Sequence, residues 1–226
     1  MQNIRSQLQK PIGTDLFNWP SALPEFLAPL FDPEIDLWDA TIEVFNFFEI
    51  AVKEKAPSFA KSAKISHKAE LINSEMIWID EGAEISSFAQ IEGPAYIGKN
   101  ARVGHGALIR PNVILCEGAK VGHASEVKAS IFLPQAKAPH FNYVGNSLLG
   151  SEVNLGAGTI LSNLRFDSAL VTCTYKGARF QTKHAKLGAI LADGVQIGCN
   201  VTLNPGTILE KGACIAPARP RQLYTS

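Results

Sequence analysis

Between Ile97 and Thr159 the chain sets side chains suited to proton transfer and anion binding at short intervals. Arg110-Pro111 comes first, then Glu126-Val127-Lys128. Lys137-Ala138-Pro139-His140-Phe141-Asn142-Tyr143-Val144-Gly145 and Val153-Asn154-Leu155-Gly156-Ala157-Gly158-Thr159 follow. Histidine is the natural base near neutral pH. A carboxylate beside it fixes its tautomer and supports the imidazolium that forms. Arginine as a bidentate fork, with lysine, suits a phosphate. A Gly-Ala-Gly backbone can present N–H donors closely to a developing oxyanion. Taken singly, each residue also has a plain structural reading. Arg110, Lys128 and Glu126 would be solvated surface charges, Tyr143 packing, His140 a hydrogen-bonded loop histidine, and Asn154 a rung in a corner ladder. Their meaning depends on the elements that position them.

Those elements repeat every six residues. Ile79, Ile85, Ile91, Ile97, Val103, Ile109, Leu115, Val121 and Val127 are all aliphatic. Four residues after the first eight stand Ala83, Ala89, Ala95, Ala101, Ala107, Val113, Ala119 and Ser125, all small or β-branched. A helix of about 3.6 residues per turn cannot hold that period on one face. Plain strand alternation would not select small residues at a fixed offset. A triangular solenoid does both, with three hexads per coil, aliphatics inside and small residues near tight corners. Gly98, Gly104 and Gly122 fit bends that need a permissive backbone. The expected fold is all-β, a left-handed parallel β-helix.

The phase returns at Leu149 and Leu155 and again from Leu191 through Ile197, Leu203, Leu209 to Ile215. Two segments, 134–146 and 162–186, break it and are expected to leave as loops on the binding face. Residues 1–61 differ. Pro20, Pro24 and Pro33 mark short helices and turns, and Leu37 to Lys55 carries a helical stripe of Trp38, Ile42, Phe45, Phe48 and Val52 behind a candidate N-cap, Asp36. A helical cap over a solenoid end is the expected role, with partner docking the alternative. Residues 62–218 form the β-helix domain, beginning with an imperfect coil over 62–78, and 219–226 a tail.

Lys+Arg and Asp+Glu are 21 each, a formal net charge of zero, which argues against nucleic acid or anionic membrane as the main partner. No stretch reaches the roughly 18 apolar residues that span a bilayer, and the N-terminus lacks a signal-like apolar region. A cytoplasmic protein is expected. Cys116, Cys173, Cys199 and Cys214 show no CxxC spacing and read as reduced thiols.

The ordered set RP, EVK, KAPHFNYVG and NLGAG resembles the C-terminal acetyltransferase domain of the bacterial bifunctional enzyme that acetylates glucosamine-1-phosphate and then uridylylates it. Similar domains end archaeal sugar-phosphate nucleotidyltransferases. The close match covers about sixty residues, with looser hexapeptide similarity to Pro217. The resemblance implies His140 as catalytic base and Glu126 as the carboxylate orienting it. It implies Arg110 and Lys128 on the sugar phosphate, Tyr143 and Asn154 on the sugar, and the Ala157 backbone near the acetyl thioester. It also implies acetyl-CoA as co-substrate, no metal for acetyl transfer, and a homotrimer with active sites between adjacent prisms. The pathway would be supply of UDP-N-acetylglucosamine.

The chain departs from the bacterial pattern at Asn163-Leu164-Arg165-Phe166-Asp167, where a longer insertion begins. Asn163 can be matched and would contact substrate or acetyl-CoA. The family's substrate lysine has Lys176 and Lys183 as candidates. The nucleotidyltransferase half is absent, so a separate nucleotidyltransferase is a possible partner. Arg219-Pro220-Arg221 would meet the anionic part of CoA or be a solvated tail. Two rival readings remain. His105 and His123, one coil apart, could begin a zinc site of the β-helix carbonic anhydrase kind, completed by a neighbouring chain. The chain could instead be a non-catalytic partner of a nucleotidyltransferase.

Overall fold

The computed structural model describes residues 10–18, 25–54 and 58–217. From Phe59 to Ile215 the chain winds through about eight turns of a left-handed parallel β-helix. Three parallel sheets of eight, seven and seven strands form the walls of the prism. Partners in regular coils stand 18 residues apart, as in Ile91↔Ile109 and Val103↔Val121. Three hexads therefore make one coil, as the period implies. The repeating aliphatics fill the interior, and Ala83, Ala89, Ala101, Ala107 and Ala119 are at most 1% exposed. The first coil is wider: Ile65 pairs with Ile85, and a 3-10 turn at Ser74–Met76 takes up the excess.

Segment 134–146 corrects the sequence reading. It does not leave the prism. Lys137–His140 and Tyr143–Gly145 are strands in register with Lys120–His123 and Glu126–Lys128. Here Leu115 pairs with Phe132 and Phe132 with Leu149, partners 17 residues apart. One side of each coil is a residue short, so a count in sixes loses the phase while the wall continues. Segment 162–186 does leave. Leu161 pairs with Leu203 across it, and an antiparallel bridge Leu164↔Lys186 closes its base. A hairpin, Thr172–Tyr175 with Ala178–Gln181, forms its body.

The glycines after each aliphatic are also explained differently. Gly122 is not in the left-handed region; a Cβ there would collide with the Pro139 carbonyl of the next coil. The left-handed turn comes two residues later, at Asn100, Gly106 and Ala124. Close approach of coils, not backbone freedom, selects the glycine.

The described residues of the N-terminal segment are helical and pack on a wall of the prism, where a cap over its end was expected. Gly13–Leu16 and Leu37–Glu54 are α-helices, with a 3-10 helix at Glu25–Phe31 between them. Leu16, Phe17, Leu27, Leu30, Trp38 and Val44 pack on the outside of one seven-stranded wall, against Ile114, Ile131, Leu148 and Ile190. That wall is apolar on both faces, so a second core must cover it. At the prism ends, Ala63, Ile65, Ala213 and Ile215 stay only partly buried. The hairpin completes the cover: Trp38 and Phe180 rings lie 5.9 Å apart, and His184 Nε2 sits 2.6 Å from Asp39 Oδ1. The Asp193 carboxylate accepts the N–H groups of Asn18 at 2.6 Å and Ser151 at 2.7 Å, clamping segment to coil. Asp36 stands at the start of the Leu37–Glu54 helix, where its carbonyl accepts the Asp39 and Ala40 N–H groups, but its carboxylate pairs with Lys10 at 2.7 Å. Of the expected stripe, the side chains of Phe48 and Val52 lie outside the described residues, as do Pro20, Pro24, Arg219 and Arg221.

Trp38→Ala should cost about 3–5 kcal/mol and expose the apolar wall. Urea unfolding followed by tryptophan fluorescence measures it; a loss below about 1 kcal/mol would contradict a joint core.

Candidate active site

Arg110, Glu126, Lys128, Tyr143 and Asn163 meet on the outer surface of the other seven-stranded wall. Val127 and Val144 point inward, so Glu126, Lys128, Tyr143 and Gly145 point out. The Arg110 N–H donates to the Val127 carbonyl, and one step along the ladder Arg110 stands beside Lys128. Arg110 Nη1 lies 3.0 Å from Glu126 Oε1. Tyr143 Oη donates to Asn163 Oδ1 at 3.4 Å, and Asn163 Nδ2 donates to Asn146 Oδ1 at 2.6 Å.

The column that carries Arg110 and Lys128 continues at Gly145 with no side chain. A Cβ there would come within 2.8 Å of Tyr143 Oη and Asn163 Nδ2. The glycine thus leaves a notch in the column of side chains, filled by the tips of the phenol and the amide and flanked by two cations. Burial first, then the charges of Arg110 and Lys186, hold the Lys128 ammonium below the ordinary lysine value, with Glu126 opposing. Burial, then the charge of Glu126, raises the Tyr143 phenol, with Arg110 and Asn163 opposing. Three cations against one carboxylate, in a chain of zero formal net charge, make a local anion site.

Lys186 was missed in the sequence. Lys176 and Lys183 were the candidates there, but Lys176 sits in the hairpin turn with its ammonium 5.1 Å over the Tyr175 ring, and Lys183 is exposed. Lys186 returns beside Leu164 because the last residue of an excursion lies next to its first. That closure was the available signal.

His140, Asn154 and Ala157 lie round the corner. His140 ends a strand of the eight-stranded wall, and Asn154 faces outward on that wall beside Lys137 and Gln196. The exposed His140 ring makes no hydrogen bond among the described residues. Glu126 therefore does not orient it within one chain; its carboxylate is committed to Arg110 on the adjoining wall. The corner itself is firmly built. Asn142, 3% exposed, accepts the His140 N–H at 3.0 Å and donates to the Gly156 carbonyl at 2.8 Å. The Gly158 N–H donates to the His140 carbonyl at 3.0 Å, while the Ala157 N–H makes no hydrogen bond among the described residues. Asn142 is a positioning residue that the motif contained and the sequence reading passed over.

His105 and His123 do stack, with Nδ1 atoms 3.3 Å apart. His123 Nδ1 also lies 2.8 Å from the His105 carbonyl, which can only accept, so this nitrogen carries the proton and the lone pair of the ring is on Nε2. Among the described residues no three His, Cys, Asp or Glu side chains gather to hold a metal. The four cysteines are free, Cys116 and Cys173 buried. No helix among the described residues is long and apolar enough to cross a membrane.

A family model described as the GMPPB C-terminal domain matches residues 91–213, more than half of the chain. The chain belongs to this family. The chain is also similar to longer proteins. The bifunctional sugar-1-phosphate nucleotidylyltransferase/acetyltransferase of Sulfurisphaera tokodaii is 45% identical over 139 residues, 62% of this chain and 35% of that protein. The bifunctional protein GlmU of Methanococcus aeolicus is 43% identical over 180 residues, 80% of this chain and 41% of that protein. The chain thus spans less than half the length of these curated relatives. Among solved structures, a mutant of the N-acyltransferase AntD from Bacillus cereus, in complex with dTDP-4-amino-4,6-dideoxyglucose and coenzyme A, aligns with TM-score 0.38 at 15% identity, over 76% of this chain and 84% of that one.

Two predictions follow from the geometry. A bound phosphate favours charged Lys128, whose free ammonium loses its proton earlier than an ordinary lysine. Phosphate affinity, measured calorimetrically above pH 7, should therefore fall as pH rises through that lowered range, and Lys128→Arg should flatten the fall. A pH-independent wild-type affinity contradicts this. Gly145→Ala should displace the tips of Tyr143 and Asn163, weakening sugar-phosphate binding about tenfold while stability changes by less than about 1 kcal/mol. Unchanged binding in that variant would show that the notch holds nothing.

Proposed function

We propose that this chain is an acetyl-CoA-dependent N-acetyltransferase acting on an amino-sugar phosphate, glucosamine-1-phosphate first among candidates. The observation that carries the reading is the cluster at the Gly145 notch, where Arg110, Lys128, Tyr143 and Asn163 gather with the charge of Lys186 close by. Arginine and lysine suit the phosphate, and the phenol and amide suit sugar hydroxyls. The names of the relatives, which pair acetyltransferase with sugar-phosphate nucleotidylyltransferase, support the same class.

His140 and the Ala157 N–H form the other half of the reaction. The substrate ammonium first loses a proton to solvent; as the neutral amine then attacks the thioester carbonyl, the imidazole takes a second proton from the same nitrogen. The Ala157 N–H donates to the oxyanion of the tetrahedral intermediate. Collapse breaks the C–S bond, and the CoA thiolate leaves, taking the proton from the imidazolium. No covalent enzyme intermediate and no metal are needed.

The two halves lie on adjoining walls of one prism. We read the active form as a homotrimer in which the corner of one copy, with His140 and Ala157, faces the notch of the next. Glu126 then serves the cation cluster, and Asn154 lies on the wall turned to the neighbouring copy. The product would pass to a nucleotidyltransferase, in the same polypeptide or a separate one, for UDP-N-acetylglucosamine supply in the cytoplasm.

With acetyl-CoA and glucosamine-1-phosphate, CoA release should be measurable, and His140→Ala should lower kcat by about 10²–10⁴-fold. A folded assembly that releases no CoA with any amino-sugar phosphate overturns the reading.

A further inference from the structure

The insertion returns to the prism through a short limb tied mainly by its backbone. Thr182 Oγ1 donates to the Val171 carbonyl at 2.7 Å and accepts the His184 N–H at 3.2 Å. The Val171 N–H donates to the His184 carbonyl at 2.8 Å, and the Leu187 N–H donates to the Asn163 carbonyl at 3.0 Å. The two side chains that this excursion brings to the cation cluster are held unequally. Asn163 is tied by its amide to Tyr143 and Asn146. The Lys186 ammonium makes no hydrogen bond or ion pair among the described residues, so the limb that carries it decides where it stands.

The limb is gripped from outside by the Leu37–Glu54 helix. His184 Nε2 lies 2.6 Å from Asp39 Oδ1, and the two side chains are 16% and 30% exposed. A carboxylate can only accept, so Nε2 donates. Packing does not fix this join by itself. A cavity of about 180 Å³ lies between helix and limb, lined by Trp38, Ile42 and Phe45 of the helix, Asn112 and Asn146 of the prism corner, and Lys186. Where side chains leave such a gap, shape alone does not set the position, and a directional, charge-assisted hydrogen bond can.

We propose that Asp39 is a positioning residue, which by holding His184 sets where Lys186 stands beside Arg110 and Lys128 and so ties the N-terminal helix to the anion site. The inference rests on the reading that this cluster binds a sugar phosphate. Lys186 lies two residues beyond His184, and its charge acts on Lys128. Charge and position predict opposite signs for the loss of Asp39. Its carboxylate is an anion near an anion site, so by charge alone its removal would strengthen phosphate binding. Loss of the grip on Lys186 weakens it.

Calorimetry with glucosamine-1-phosphate, and with inorganic phosphate as a second probe, would compare the wild-type chain with Asp39→Ala, Asp39→Asn and Asp36→Ala. Asp39→Ala should weaken binding about fivefold. Asp39→Asn, whose amide oxygen still accepts from His184, should stay within about twofold of wild type. Asp36→Ala removes a carboxylate at the same helix end, one that pairs with Lys10 instead, and should change nothing. In a Lys186→Ala background, Asp39→Ala should add less than about twofold, because the group it positions is gone. Hydrogen exchange at the Leu187 amide should quicken in Asp39→Ala and not in Asp39→Asn, with or without ligand. His184→Ala cuts the same tie from the other side and serves if Asp39→Ala fails to fold. Four results would each overturn the proposal: binding in Asp39→Ala as tight as wild type or tighter, an equal loss in Asp36→Ala, an undiminished loss without Lys186, or an unchanged Leu187 amide. Wild type that binds inorganic phosphate but no amino-sugar phosphate would sink the sugar-phosphate reading alone, and the same comparisons with inorganic phosphate would still decide the role of Asp39. Wild type that binds neither would overturn both.

Discussion

Everything in this molecule depends on how closely successive coils approach. Parallel ladders hold neighbouring coils about 4.8 Å apart, and each wall is only two to four residues wide in strand. That spacing demands a small residue where the interior narrows, which Ala101, Ala107 and Ala119 supply. It demands no side chain at Gly122, where the next coil's carbonyl takes the space. It also converts sequence separation into position. Residues 17 or 18 apart become neighbours in a column, so Arg110 comes beside Lys128 and His105 beside His123. A solenoid can therefore concentrate like charges that a chain with ordinary loops would keep apart. Two cations in one column repel, and Glu126 offsets part of that repulsion. The remainder is available to an anion.

The same register divides the site. Side chains on adjoining walls diverge at each corner, so a prism alone cannot aim His140 into the Gly145 notch. The polar web Asn142–Gly156–Thr159 fixes the corner and Tyr143–Asn163–Asn146 fixes the notch. Each half is tied down by its own hydrogen bonds, and the proposed homotrimer would bring the two together. The third wall cannot contribute, because the N-terminal helices and the insertion hairpin cover it with an apolar core of their own.

Much of this was legible in the sequence, for a physical reason. The period of six with a small residue four places on has one economical solution, and it specified the wall. The motif KAPHFNYVG placed chemistry within a few residues, and its Tyr143 meets four expected companions, Arg110, Glu126, Lys128 and Asn163. What escaped depended on geometry that counting does not carry. A wall one residue short looks like a loop when read in sixes, as 134–146 did. Gly98, Gly104 and Gly122 resembled turn glycines, yet the steric demand comes from the coil beneath. The apolar stripe around Trp38 promised burial without saying against what. Only the outward apolar residues Ile114, Ile131 and Leu148, alternating with the core, could have pointed to the wall instead of the end. Glu126 was expected at His140 from the resemblance, but Arg110, diagonal to it on the same wall, is within reach first. Lys186 needed the closure of the insertion to be seen.

The most direct test of a site divided between copies is complementation. His140→Ala and Lys128→Ala chains, each inactive as a homotrimer, would be unfolded together, refolded as mixed trimers and assayed for CoA release. Random assembly should restore about a quarter of the sites, since each needs His140 from one copy and Lys128 from the next. Recovery of that order supports the account. Mixed trimers as inactive as either parent, with a refolded wild type active, would mean that both residues act within one chain and would contradict it.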